Sequence, residues 1–338
     1  MAGIHHGGGL TSAISLYGGK PADWLDLSTG INPNPPALPE IPMAIWNRLP
    51  DRALIDATSA TAAKWYLGWR NSADAVCTHV PLAVPGTQSF IQVLPRLVAQ
   101  QRPVAILSPT YGEYAHCFER AGFAVDAIVS LDALRPDHGG FVVVNPNNPD
   151  GRVFSREQIL DLHARMRAQD GHLHVDEAFG DGRPALSVAD VASQDAGLTV
   201  SRSFGKFFGL AGIRLGFVFA HAETTAVIEA ALGPWAVSGP ALYLANALMK
   251  GGSQAILETI MKRRSGLQAA LDGAGLRTAG GTELFALVAH ESASLLFEHL
   301  ARSHILVRKF DYAPHWLRIG LTPDEQGDLR LAETLASF

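Results

Sequence analysis

Ser201-Arg202-Ser203-Phe204-Gly205-Lys206-Phe207-Phe208-Gly209-Leu210-Ala211-Gly212-Ile213-Arg214-Leu215-Gly216 places one lysine on a glycine-rich loop with aromatic neighbours. An apolar run at residues 198–200 ends just before this stretch and another, at 215–220, starts at its end. Lys206 is therefore predicted between two strands. A loop lysine is usually a solvated surface charge. Here the flanking aromatics would strip water from the amine, which favours its neutral, nucleophilic form. Ser203 and Arg214 lie three residues before and eight after Lys206, and a hydroxyl beside a fixed guanidinium makes a phosphate cradle.

Outward from this loop, apolar runs at 104–107, 141–144 and 172–175 alternate with helical patterns. Such alternation predicts an α/β fold with a mostly parallel sheet covered by helices. Asn148, in Asn145-Pro146-Asn147-Asn148-Pro149-Asp150-Gly151, and Asp176, in His172-Leu173-His174-Val175-Asp176-Glu177-Ala178-Phe179, fall at the carboxyl ends of strands. Ligands of open α/β sheets bind at those ends. Pro85-Gly86-Thr87-Gln88-Ser89 opens an amphipathic helix over 90–99, and exposed N–H groups at a helix start attract anions. Thr87 also reads as a simple N-cap.

Ser155-Arg156-Glu157-Gln158 and Thr322-Pro323-Asp324-Glu325 read as capping boxes. A long helical region over 242–271 leaves the first domain, followed by strands at 285–288, 305–307 and 317–320 and helices at 293–302 and 323–336. These make a small α+β domain at the C-terminus. The expected division is an N-terminal arm with part of the small domain (1–48), a large cofactor-binding domain (49–245), and a crossing helix with the small domain (246–338).

Of the 338 residues, 47% are hydrophobic and 17% charged, too apolar for disorder, and no continuous apolar stretch is long enough for a membrane span. With 27 Lys+Arg against 32 Asp+Glu, the net charge of −5 leaves no basic excess for nucleic acid. Cys77 and Cys117 lack metal or redox spacing and read as reduced thiols. Residues 1–10 carry no basic or apolar leader pattern, so a cytoplasmic location is expected. His172, His174 and Asp176 alternate along one strand face; no fourth ligand accompanies them, and no metal is expected.

The Asn145–Gly151 segment, Val175-Asp176-Glu177-Ala178 and the Lys206 loop, taken in order and spacing, resemble the fold type I pyridoxal-phosphate enzymes of the aminotransferase superfamily. The resemblance covers nearly the whole chain. It implies pyridoxal 5'-phosphate carried on Lys206, with Asp176 at the pyridine nitrogen, Asn148 at the ring hydroxyl and Tyr111 stacked on the ring. Gly86, Thr87, Gln88, Ser203 and Arg214 would hold the cofactor phosphate. It also implies that Arg318 takes a substrate carboxylate, while Arg308 matches the arginine that relatives direct at a substrate phosphate. Two positions depart from the pattern. Phe179 stands where many aminotransferases have a tyrosine on the ring hydroxyl, and Leu49 replaces a tyrosine that reaches the neighbouring subunit.

Within the superfamily the arm, His5-His6-Gly7-Gly8 followed by Asn32 in Gly30-Ile31-Asn32-Pro33, is similar to the threonine-phosphate decarboxylase branch of cobalamin biosynthesis. That likeness implies decarboxylation of a small phosphorylated amino acid, L-threonine O-3-phosphate, to (R)-1-amino-2-propanol O-2-phosphate. His6, Gly7, Gly8, Asn32, Arg308 and Arg318 would bind the substrate, in a homodimer with no nucleic-acid or membrane partner. An aminotransferase such as one for histidinol phosphate is the alternative, and a non-catalytic binding module on the same fold a remote one.

Overall fold

The computed structural model describes residues 7–68, 80–99 and 102–338; Cys77 and His6 lie outside the described residues. The chain forms two compact units, one of residues 1–35, 149–152 and 254–338 and a larger one of residues 36–148 and 153–253. The sequence places the boundaries at 48/49 and 245/246 instead.

The larger unit is built on a seven-stranded sheet in the order Leu82–Val84, Gly216–Ala220, Leu198–Ser203, His172–Asp176, Gly140–Val144, Val104–Leu107, Val125–Ile128. Pairings from Leu198–Ser203 across to Val125–Ile128 are parallel, and the two at the other edge are antiparallel. The central strands are buried along their length, which is why they read as continuous apolar runs. Val125–Ile128 is a half-exposed edge strand containing Asp126, so it gives no such run. The helix expected over 90–99 begins earlier, as Thr87–Val93 with Gly86 at the N-cap, and tightens to a 3-10 turn over Leu94–Leu97, which contains Pro95. Thr87 is thus the first helical residue and not the cap.

Ser155 forms the expected capping box, accepting from the Gln158 N–H. The single helix expected over 242–271 is two helices, Gly239–Lys250 and Gln254–Gly273. They part at Gly251-Gly252, where Gly252 adopts φ +81°, a left-handed turn that ends a helix. The boundary between the units falls there. Cys117 is a buried free thiol.

The smaller unit carries an antiparallel four-stranded sheet, Arg308–Phe310, Ala313–Gly320, Phe285–Ala289 and Thr278–Thr282, and a parallel pair, Leu25–Asp26 with Ile305–Leu306. Helices Ala293–Arg302 and Glu325–Ala336 accompany these sheets. The cap of the last helix is Asp324, whose side chain accepts from the Gly327 N–H at 2.8 Å. Thr322 does not cap it; its hydroxyl hydrogen-bonds Asp328. Among the described residues, no helix is long and apolar enough to cross a membrane.

Candidate active site

At the carboxyl ends of the central strands, a cavity of about 150 Å³ is lined by Gly86, Thr87, Gln88, Tyr111, Asn148, Asp176, Ser203, Lys206 and Arg214. All nine were expected at a cofactor site. Register explains the convergence: Val144 pairs with Asp176 and Asp176 with Ser201, so the strands end level with one another. Lys206 sits on a single helical turn, Phe204–Phe207, directly after its strand. That turn folds back tightly, since a Cβ on Gly205 would lie 2.6 Å from the Ala211 Cα. Only glycine fits such an approach.

Asp176 is buried, and its carboxylate accepts from the Tyr114 hydroxyl at 2.8 Å, the Ala178 N–H at 2.9 Å and the Ser201 hydroxyl at 3.4 Å. Burial pushes its carboxyl up, against the pull of those donors and of the Lys206 charge. Tyr114 was not singled out from sequence; its place three residues after Tyr111 was the available signal. Next along the chain, Glu177 pairs with the buried Arg202 at 2.8 Å, and Arg202 lies 3.4 Å from Asp181. This buried triad ties the strand of Asp176 to the strand that leads to Lys206.

Tyr111 donates to Gln88 Oε1 at 3.1 Å, and Gln88 Nε2 donates to Glu113 at 2.7 Å. The Gln88 amide therefore positions Tyr111, and what it offers an anion is its main-chain N–H in the first helical turn. Burial, helped by Glu113 and Asp176, pushes the Tyr111 phenol up to about 12. Gly86 has φ +74°, and a Cβ there would stand 3.0 Å from Arg214 Nη2. Arg214, itself left-handed at φ 53°, thus lies against the turn that starts the helix. Phe179 faces Lys206, whose Nζ is 5.5 Å from the ring centroid. His172 and His174 are bridged by Thr199; among the described residues no cluster of His, Cys, Asp and Glu is arranged to hold a metal ion.

A match to the family of class I and II aminotransferases spans residues 23–335. The chain belongs to that family. A threonine-phosphate decarboxylase from Sinorhizobium sp is 57% identical over 99% of this chain and 98% of its own length. One from Pseudomonas aeruginosa is 40% identical with the same coverage. A histidinol-phosphate aminotransferase from Haemophilus influenzae is 29% identical over 58% of this chain and 60% of its own. Among solved structures, histidinol-phosphate aminotransferase from Sinorhizobium meliloti in complex with pyridoxal-5'-phosphate superposes with a TM-score of 0.82 at 19% identity, covering 100% of this chain and 95% of that one. L-threonine-O-3-phosphate decarboxylase from Porphyromonas gingivalis does so with a TM-score of 0.68 at 19% identity, covering 92% and 98%. At these identities the superpositions establish the aminotransferase fold.

The residues expected at the substrate belong to the smaller unit of this family member. Arg308 and Arg318 are direct partners across antiparallel strands. Arg318 is buried and donates from Nη2 to the Ser28 carbonyl at 2.8 Å. Burial, reinforced by the Arg308 charge, pulls its guanidinium down to about 10. The described part of the arm reaches the same place: the Gly8 N–H donates to the Ser28 hydroxyl at 2.7 Å, and a Cβ on Gly7 would stand 3.5 Å from Arg318 Nη2. Asn32 is buried, its side chain hydrogen-bonded to the main chain of Asn34.

Proposed function

We propose that this chain is a pyridoxal-phosphate-dependent lyase that decarboxylates L-threonine O-3-phosphate to (R)-1-amino-2-propanol O-2-phosphate in cobalamin biosynthesis. The observation that carries the reading is the 57% identity to a threonine-phosphate decarboxylase along essentially the whole of both chains. The histidinol-phosphate aminotransferase from Haemophilus influenzae matches just over half of the chain.

The site fits the cofactor. Asp176 is a buried carboxylate pushed up by its surroundings, and a protonated pyridine nitrogen is the cation that would restore its charge. The Arg214 guanidinium lies close against the Gly86 turn, and both line the cavity, so main-chain N–H groups and a fixed cation converge on one place for a phosphate. When bound, pyridoxal phosphate supplies the electron sink for the pair left as the Cα–carboxylate bond breaks. Lys206 would anchor its aldehyde carbon and return a proton to Cα. Tyr111 would face the ring, Asn148 would hold the ring hydroxyl, and the Gly86–Gln88 turn with Ser203 and Arg214 would hold the phosphate.

For the substrate, Arg318 and Asn32 would take the carboxylate, and Arg308 with the Gly7–Gly8 arm would take the phosphate. Two like charges placed opposite one another in a sheet repel, and a dianionic substrate relieves that repulsion. The enzyme works as a cytoplasmic homodimer. Exposed Met43, Trp46, Leu49 and Trp235 on the larger unit supply apolar surface for a second copy.

The test is the purified enzyme with L-threonine O-3-phosphate, followed by carbon dioxide release, beside histidinol phosphate with a keto acid. Release of carbon dioxide without a new keto acid is expected. Amino transfer without carbon dioxide overturns the reading.

A further inference from the structure

Behind Asp176, and away from the cavity, lies a row of buried polar groups that the mechanism does not use. Tyr114 donates to Asp176 Oδ2 at 2.8 Å, and a carboxylate can only accept. The phenol oxygen also hydrogen-bonds His174 Nε2, 3.2 Å away, and the Ser201 hydroxyl stands 3.4 Å from the same nitrogen. On the other side of the ring, Nδ1 of His174 hydrogen-bonds the Thr199 hydroxyl at 3.1 Å. The same hydroxyl hydrogen-bonds His172 Nε2 at 2.9 Å. One continuous row of hydrogen bonds thus runs from His172 to Asp176.

The row is sealed. His172, His174, Thr199 and Tyr114 are all buried, and the Phe90 ring packs on His174 with centroids 5.2 Å apart. Both imidazoles are held neutral by burial, His172 at about 4 and His174 at about 3. Aligned hydrogen bonds polarise one another in a low-dielectric interior. The row therefore holds the Tyr114 donor on Asp176 without bringing a positive charge that would compete with the cofactor for Asp176.

We propose that His172, Thr199, His174 and Tyr114 are positioning residues, a hydrogen-bonded file that holds Asp176 ionised and oriented toward the pyridine nitrogen. The inference rests on the reading that Asp176 faces that nitrogen, and its test separates the two. Full-length protein stripped of cofactor is titrated with pyridoxal phosphate and with its 1-deaza analogue, in which carbon replaces the ring nitrogen. The quantity read is the ratio of the two dissociation constants.

Wild type should prefer pyridoxal phosphate by at least about tenfold, the scale of one hydrogen bond to a charged group. Tyr114→Phe should remove most of that preference. Thr199→Val, a near-isosteric change three hydrogen bonds away from Asp176, should lower it by about threefold, since each link adds only a fraction to the next. In both variants the analogue should bind as it does to wild type. A variant that weakens both ligands equally, or that keeps the full preference, overturns the file. If wild type itself shows no preference, the placement of Asp176 fails, and the file with it.

Discussion

The Nζ of Lys206 lies 5.5 Å from the centroid of the Phe179 ring, so the amine proposed to hold the cofactor is faced by a hydrocarbon surface. The resemblance to the aminotransferases implies a phenol at this position in many of them. Phe179→Tyr should return an O–H donor to the cofactor's ring oxygen. One charge-assisted hydrogen bond of this kind should lower the pKa of the protonated lysine–cofactor linkage by about one unit. An absorbance titration of the loaded variant reads this directly, and an unchanged curve would show that Phe179 does not face the ring oxygen.

Lys206 should be the point of attachment. Borohydride reduction of the loaded enzyme, followed by peptide mapping, is expected to find the label on Lys206. A label on Lys64 or Lys250, which line another groove of the same unit, would contradict the assignment.

Asp176→Asn keeps the shape of the side chain and removes its charge. The variant should still bind cofactor while turnover falls by about two to three orders of magnitude, the scale of losing a key electrostatic stabiliser. Steady-state kinetics with threonine phosphate checks this, and near wild-type turnover would sink the electron-sink role.

Arg308 and Arg318 face each other across two strands. Arg308→Ala should raise KM for threonine phosphate by about tenfold to a hundredfold, the worth of a charged hydrogen bond, with much less effect on unphosphorylated threonine. The same change removes a like-charge neighbour from Arg318, so thermal stability without substrate should hold or rise. Equal KM effects on both substrates would mean that Arg308 does not read the phosphate.

Acid should weaken the fold through the buried histidines. Their folded values, about 4 for His172 and about 3 for His174, lie below the ordinary 6.5. The unfolded chain then binds more protons as pH falls below 6.5, so stability is complete above that value and is lost on acidification. Each histidine contributes up to about 1.4 kcal/mol per pH unit. Asp176, pushed up by burial, acts in the opposite sense and offsets part of the slope. Denaturant midpoints measured from pH 7 to pH 4.5 should fall, and His172→Gln should flatten the decline. A midpoint independent of pH would contradict buried neutral histidines.

The cofactor site was legible because its residues sit at the ends of buried strands, where apolar runs mark the boundaries. The apolar runs placed Asn148, Asp176 and Lys206 at strand ends, and the resemblance of their three motifs, in order and spacing, to the aminotransferase superfamily implied their roles. Tyr114 was not legible, because nothing in a helical pattern says which aromatic turns inward to a carboxylate. The alternation of His172, His174 and Asp176 did predict a common face, but the partner that occupies it, Thr199, comes from a neighbouring strand. The break at Gly251-Gly252 was lost because apolar spacing resumes on both sides of it. Thr322 misled because Thr-Pro-Asp-Glu offers two caps only two residues apart, and its hydroxyl goes to Asp328 instead.

Asp176 pairs in register with Ser201 on the strand that delivers Lys206. One rung of a hydrogen-bond ladder, about 4.8 Å wide, thus fixes the strand of Asp176 beside the strand that leads to the Lys206 turn, in the middle of the sheet. A helix such as Arg156–Arg167, which carries none of the site residues, has no part in that rung. Substitutions that loosen such a helix should change how much active protein a cell accumulates while leaving the turnover of each surviving molecule alone. Activity per milligram of purified enzyme and activity per cell should therefore diverge across a library of such variants.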